Sequence, residues 1–214
     1  MTRIKICGCK RKEDIAMMNR YLPDYCGFII DFPKSHRSRT PDQVRELVKE
    51  LDRAHVSAVG VFVDEPAEIV AELLNDGTID MAQLHGSESE AYIANLRTMT
   101  SGKVVRAFAL KKTEVLKAAA ASTADHILLD QGQGSGETFD WSLLGSPEAI
   151  EAFGVEGLPQ GEWFLAGGLN EENIASAIER FRPYAVDLSS AVETDRVKDE
   201  AKVRRIIEIV RSCR

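Results

Sequence analysis

The sequence predicts an α/β fold, a single (β/α)8 barrel with a parallel eight-stranded sheet, occupying residues 1–214. Three observations lead there. Short β-like runs alternate with amphipathic helical stretches in eight units, with no residues left over for a second domain. No linker, low-complexity tract or charge block interrupts the beat. No G-x-G-x-x-G follows the first run, which weakens the doubly wound open sheet as the structural alternative.

The strand candidates, in order, are RIKIC (3–7), YCGFII (25–30), SAVGVFV (57–63), DMAQLH (80–85), KVVRAF (103–108), DHILLD (125–130), EWFLA (162–166) and YAVDLSS (184–190). Each is short and rich in β-branched or aromatic residues. Among the helical stretches, TPDQVRELVKELDRA carries Thr40 as its N-cap and Pro41 as its first residue. EPAEIVAELLND, SESEAYIANLRT, KKTEVLKAAAAS, NEENIASAIERF and DEAKVRRIIEIVRS follow the same logic. The long connection 142–161 is expected to hold a short helix near 146–153 and a Gly/Pro-rich loop.

Composition narrows the function classes. A 44% hydrophobic content over 214 residues supports a sizeable core. Cys7, Cys9, Cys26 and Cys213 are too few and too irregular for a disulfide framework, so a reducing compartment is expected. No apolar leader or run of membrane-spanning length is seen, and a cytoplasmic location is the expectation. A net charge of −7 argues against a nucleic-acid partner but not against a small anion held locally by an Arg or a helix N-terminus.

In a closed barrel one alternating set of strand residues fills the interior. Ile4 and Ile6 form the outer pair of the first strand, so Lys5 and Cys7 point inward. By the same reading Asp187 and Ser189 point inward, Gln83 and His85 share a face, and so do His126, Leu128 and Asp130. Strands one and eight are neighbours on closure, so a buried Lys5 is expected to pair with Asp187 as a structural ion pair. The strand C-termini form the functional face of such barrels. Cys7, Asp31, His85, Asp130, Gly167–Gly168 and Ser189–Ser190 all arrive there. Singly, each has an ordinary explanation: a small buried thiol, a structural imidazole, a helix-capping carboxylate. Their joint arrival at one rim is what points to chemistry. Two loops look built for phosphate, GQGSGETFDW (132–141) and LAGGLNEENI (165–174), with the hydroxyls of DLSSAVE (187–193) beside them.

The stretches KICG (5–8), GFI and FPKSHR (27–37), VGVFV (59–63), QLHG (83–86), LLD (128–130), GSGETFDW (134–141), LAGGLNEENI (165–174), VDLSSAVE (186–193) and KD (198–199) resemble the phosphoribosylanthranilate isomerase family of tryptophan biosynthesis. The resemblance implies a (β/α)8 barrel that converts N-(5-phosphoribosyl)anthranilate to 1-(2-carboxyphenylamino)-1-deoxyribulose 5-phosphate. It implies a phosphosugar substrate bearing an anthranilate group, and no metal or organic cofactor. The family's base falls on Cys7 and its acid on Asp130. The Arg that meets the anthranilate carboxylate falls on Arg37. His85 belongs to the substrate site, and the phosphate loops fall on Gly134, Ser135, Gly136, Gly167, Gly168, Ser189 and Ser190. Two positions depart from the family pattern. Cys9 stands where a hydrophobic residue or Thr is common, and reads as incidental. Ala191 stands where Gly is common, and would cost about 1 kcal/mol if positive φ were required there.

The residues suit the reaction independently. Opening the sugar ring needs an acid on the ring oxygen, and the next step needs a base for the C2′ proton. A thiolate serves as that base if its pKa is lowered, with Lys5 two residues away on the same face as the expected helper. Three rivals stand beside this reading. A C-x-C redox or zinc role for Cys7 and Cys9 lacks a second ligand pair at metal spacing. A related aminoaldose-phosphate isomerase of histidine biosynthesis would carry Asp where Cys7 stands and a second phosphate site, but the loop VDEP after the third strand lacks a Gly-Gly. A non-catalytic phosphate-ligand barrel is opposed by Cys7 and Asp130. The sequence leaves the oligomeric state open.

Overall fold

Helices on the outside of a parallel sheet leave no strand face in water, so each strand needs two buried sets. The computed structural model describes residues 1–110, 114–130, 143–154, 159 and 161–213, and in it that rule yields two concentric cores. The elements in order are β1 (Arg3–Cys7), α1 (Lys12–Tyr21), β2 (Tyr25–Ile29), α2 (Pro41–Lys49), β3 (Ser57–Phe62), α3 (Ala67–Asn75), β4 (Met81–Leu84), α4 (Glu90–Met99), β5 (Lys103–Ala109), α5 (Glu114–Ala120), β6 (His126–Asp130), α6 (Pro147–Phe153), β7 (Phe164–Leu165), α7 (Ile174–Phe181), β8 (Ala185–Leu188), β9 (Glu193–Thr194), β10 (Val197–Lys198) and α8 (Glu200–Ser212).

The first eight strands close into a barrel in sequence order, and every pairing is parallel. The seam sets Arg3, Ile4, Lys5 and Ile6 of β1 beside Ala185, Val186, Asp187 and Leu188 of β8. Ile4, Ile6, Cys26, Phe28 and Phe62 face the helices and pack with residues such as Ile15, Met18, Val44, Val70 and Ile206. Tyr25, Val59, Met81, Val105, Leu128, Phe164 and Ala185 fill the interior. Burying a large aliphatic or aromatic side chain is worth about 1.5–3 kcal/mol, so both layers contribute heavily.

Local signals hold the helices in place. Thr40 forms a capping box with Gln43, and Pro41 opens α2. Ser89, Ser146 and Asp199 cap α4, α6 and α8 through side-chain oxygens. α6 answers the helix expected near 146–153.

Three features go beyond the sequence reading. α1 is one, because its inward stripe of Ile15 and Met18 is narrow and interrupted by the fully buried Asp14. Asp14 is satisfied locally, accepting from the Lys10 and Arg11 backbone N–H groups at 2.9 and 3.1 Å and from the Arg11 guanidinium. β7 spans two residues rather than five, since only Phe164 and Leu165 have ladder partners on β6 and β8. After β8 the chain makes a short 3-10 turn and then an antiparallel hairpin, β9–β10. Its two loop residues, Asp195 and Arg196, both have positive φ (50° and 64°), the signature of a type I′ turn. That turn sets Glu193 directly opposite Lys198. No helix among the described residues is long and apolar enough to cross a membrane.

Candidate active site

Cys7 closes β1, and its thiol is buried inside the barrel mouth. Its register partner is Gly27 of β2. A Cβ on Gly27 would lie 3.0 Å from the Cys7 Sγ and 3.2 Å from the Lys5 Cε. The bare backbone of β2 therefore leaves the space that the thiol and the ammonium occupy. Lys5 is buried and donates to Asp187 across the seam, Nζ to Oδ2, at 2.8 Å. Burial opposes the Lys5 charge, but Asp187 and the facing Cys7 outweigh it and raise the Lys5 pKa. The second carboxylate oxygen of Asp187 has no hydrogen-bond partner among the described residues.

The thiol itself differs from expectation. Its pKa is raised, not lowered. Burial is the largest influence, Lys5 pulls the other way, and Asp187 adds to the rise. Lys5 cannot give Cys7 the full effect of its charge because Asp187 already compensates it. Cys9 faces the other layer, fully buried in the outer core with its Sγ 3.8 Å from the Ile6 carbonyl oxygen. The two thiols of C-x-C thus lie in separate layers, which suits neither a shared metal nor a disulfide.

On the far side, Asp130 closes β6. His85 follows β4 and brings its Nε2 to 3.6 Å from Asp130 Oδ2. Gln83, buried inside the barrel, holds the other face of the ring, with its Nε2 2.8 Å from His85 Nδ1. The three side chains form a short polar line from the barrel interior to the rim.

Arg37 reaches the rim from the β2–α2 loop, whose base is closed by a bridge between Ile30 and Arg39. Its guanidinium is not an ordinary solvated charge. The Nε and Nη2 groups donate side-on to both Glu193 oxygens at 2.7 and 2.6 Å. Its aliphatic stem lies on Gly8, where a Cβ would come within 2.3 Å of the Arg37 Cδ. Gly8 also has φ +81°. The glycine after Cys7 is therefore doubly required, by its backbone and by this close approach. Glu193 accepts a further bond from buried Lys198 at 2.9 Å. Burial would raise the Glu193 pKa, but Arg37 and Lys198 outweigh it and hold the carboxyl at about 2. Lys198 also donates to the Ser189 carbonyl at 3.0 Å, and the Ser189 hydroxyl donates to the Cys7 carbonyl at 3.0 Å. A continuous polar chain thus runs from Arg37 to the end of β1. Glu193 and Lys198 stand within motifs that carry the resemblance, VDLSSAVE and KD, but the sequence reading assigned neither a role in the site.

Gly167 and Gly168 follow β7 and both need positive φ, 85° and 68°. Their N–H groups make no hydrogen bond among the described residues, and the turn leads into α7. Ser190 opens the 3-10 turn after β8, and Ala191 sits within it. Ala191 is not among the positive-φ residues, so the alanine costs nothing there. Gly134, Ser135 and Gly136 lie outside the described residues. Across the mouth, the loops after β3 and β4 are closed on each other by carboxylates. Asp64 accepts from the Ser87 N–H and hydroxyl, each at 2.7 Å, and Glu88 accepts from the Asp64 and Gly86 N–H groups, each at 2.8 Å.

The family model described as N-(5'phosphoribosyl)anthranilate (PRA) isomerase matches residues 4–209. An N-(5'-phosphoribosyl)anthranilate isomerase of Endomicrobium trichonymphae is 39% identical over 99% of this chain and 100% of its own. The enzyme of that name from Thermoanaerobacter pseudethanolicus is also 39% identical, with both chains covered in full. The crystal structure of phosphoribosyl anthranilate isomerase from Thermotoga maritima superposes with a TM-score of 0.84 at 33% identity, covering 99% of each chain. A phosphoribosyl anthranilate isomerase in complex with reduced 1-(o-carboxyphenylamino)-1-deoxyribulose 5-phosphate gives 0.82 at 32% identity, again over 99% of each chain. With its full length matched and its barrel superposed, this chain belongs to the N-(5'-phosphoribosyl)anthranilate isomerase family.

Proposed function

We propose that the chain converts N-(5-phosphoribosyl)anthranilate to 1-(2-carboxyphenylamino)-1-deoxyribulose 5-phosphate by an acid–base Amadori rearrangement, a step of tryptophan biosynthesis. The observation that carries the reading is the delivery of a thiol and a carboxyl, Cys7 and Asp130, to one barrel rim by β1 and β6. Asp130 protonates the ring oxygen, and the C1′–O bond breaks to give a protonated Schiff base. Cys7 then removes the C2′ proton, and its electron pair flows to nitrogen to give the enolamine. Proton return yields the ketone, with no net gain or loss of electrons. His85, 3.6 Å from Asp130, orients the acid. Arg37 binds the anthranilate carboxylate, and the phosphate rests on the N–H groups at Gly167, Gly168 and Ser190 together with the 134–136 loop. Lys5 and Asp187 hold the seam. The carboxylate-lined loops after β3 and β4 count against a second phosphate site and hence against the aminoaldose-phosphate alternative.

Substrate fluorescence, with the compound generated in situ, tests the reading: added protein should accelerate its loss. Because burial raises the Cys7 thiol, kcat/KM should climb with pH beyond the ordinary cysteine value before it levels. No acceleration over the uncatalysed decay would overturn the assignment. Cytoplasmic location goes with a biosynthetic role of this kind and with the unpaired cysteines.

A further inference from the structure

We propose that Glu193 is a positioning residue that grips one edge of the Arg37 guanidinium so that the other edge meets the substrate carboxylate, a role that rests on the function proposed above. A guanidinium has two edges able to hold a carboxylate in a fork. Glu193 takes the Nε–Nη2 edge at 2.7 and 2.6 Å. Nη1 makes no hydrogen bond among the described residues, so the Nη1–Nη2 edge is left for a second carboxylate.

Glu193 can act as a grip because it is itself fixed. The type I′ turn places it opposite Lys198, which donates to it at 2.9 Å, and Lys202 donates to its backbone carbonyl at 2.8 Å. The Arg37 stem is pressed onto Gly8 from the other side. An arginine carries several freely rotating bonds, and ordering it before the substrate arrives removes that cost from binding. The charges agree with the assignment. Arg37 and Lys198 share one carboxylate, so the cluster keeps a positive charge for the incoming anion. A substrate carboxylate that displaced Glu193 instead would strand Lys198 as a buried, uncompensated cation. The free edge is the favoured one.

The test is Glu193→Gln, made in the wild type and in an Arg37→Met background. Glutamine keeps the shape and one acceptor for Lys198, but cannot accept both Arg37 bonds. KM for phosphoribosylanthranilate should rise about tenfold, the worth of a charge-assisted bond, while kcat moves little. Calorimetry with the reduced product, which bears phosphate and carboxylate, should show the same loss. Competitive inhibition by inorganic phosphate, which has no carboxylate to place, should be unchanged. In the Arg37→Met background Glu193→Gln should add nothing, whereas a residue that only supports the fold would add its full effect. Should Glu193→Gln fail to fold because Lys198 loses its partner, Glu193→Gln/Lys198→Met removes the stranded cation and takes its place. An unchanged KM, additivity in the Arg37→Met background, or equal weakening of inorganic phosphate would overturn the grip. A wild type without turnover overturns the function and this role together, so the two readings fail differently.

Discussion

Replacing Lys5 by Met separates two jobs that the seam pair performs. Lys5 and Asp187 are 2.8 Å apart, with side chains 1% and 8% exposed. Methionine fills nearly the same volume but leaves the Asp187 carboxylate buried, with one oxygen already lacking a partner among the described residues. Breaking a buried pair from one side costs about 3–5 kcal/mol. For a chain of 214 residues that is a fall in melting temperature of about 6–20 °C. The change also removes the largest influence that pulls the Cys7 thiol down, so its pKa should rise further. The assay pairs thermal unfolding with the pH dependence of Cys7 alkylation by iodoacetamide, with Cys9, Cys26 and Cys213 replaced by Ser or Ala so that one thiol is read. Lys5→Met/Asp187→Leu removes both charges. It should recover most of the stability, because a packed apolar pair often equals a buried ion pair. It should not recover the thiol's reactivity in full, since Lys5 is still missing. Recovery of both to wild-type level would refute the claim that Lys5 tunes Cys7. Loss of neither in Lys5→Met would refute the pairing itself.

Cys7→Ser and Asp130→Asn should each lower kcat by at least about 10²-fold in steady-state assays while KM changes little, whereas Cys9→Ser stays near wild type. The reverse pattern for the two cysteines would show that the wrong thiol has been assigned. Gly8→Ala adds a Cβ within 2.3 Å of the Arg37 Cδ at a φ of +81°. It should cost about 1 kcal/mol from the backbone alone and raise KM by displacing Arg37, as measured by denaturant unfolding and kinetics. The Glu193 carboxyl is held at about 2, below its ordinary value of 4.5. Its lowered pKa contributes stability that is complete above pH 4.5 and lost as pH falls through 2, about 3 kcal/mol in all. The stability gap between wild type and Glu193→Gln, followed by chemical denaturation, should therefore narrow across that window and stay constant above it.

By itself the sequence determined the order of the eight barrel strands and of most helices between them, because alternation and capping are local properties. Ile4 and Ile6 on one face and Lys5 and Cys7 on the other are legible in five residues. Thr40–Pro41 announces its helix without help. The pairing of Lys5 with Asp187 was legible too, since closing eight strands in order makes the first and last neighbours. The resemblance of motifs spread along the whole chain implied that Cys7, Asp130 and Arg37 serve one site. α1 was harder to see because Asp14 breaks its apolar stripe, and its burial makes sense only once the Lys10 and Arg11 N–H groups are seen to satisfy it. Tertiary structure alone decided the state of the thiol. Its pKa is a contest between burial and a cation already compensated by Asp187, and no local pattern weighs those influences. It also decided the surroundings of Arg37. Glu193 lies 156 residues away in the chain, and only barrel closure and a type I′ turn bring its carboxylate to the guanidinium. Contacts between loops depend on how the whole sheet curves, and that curvature is a property of all eight strands together.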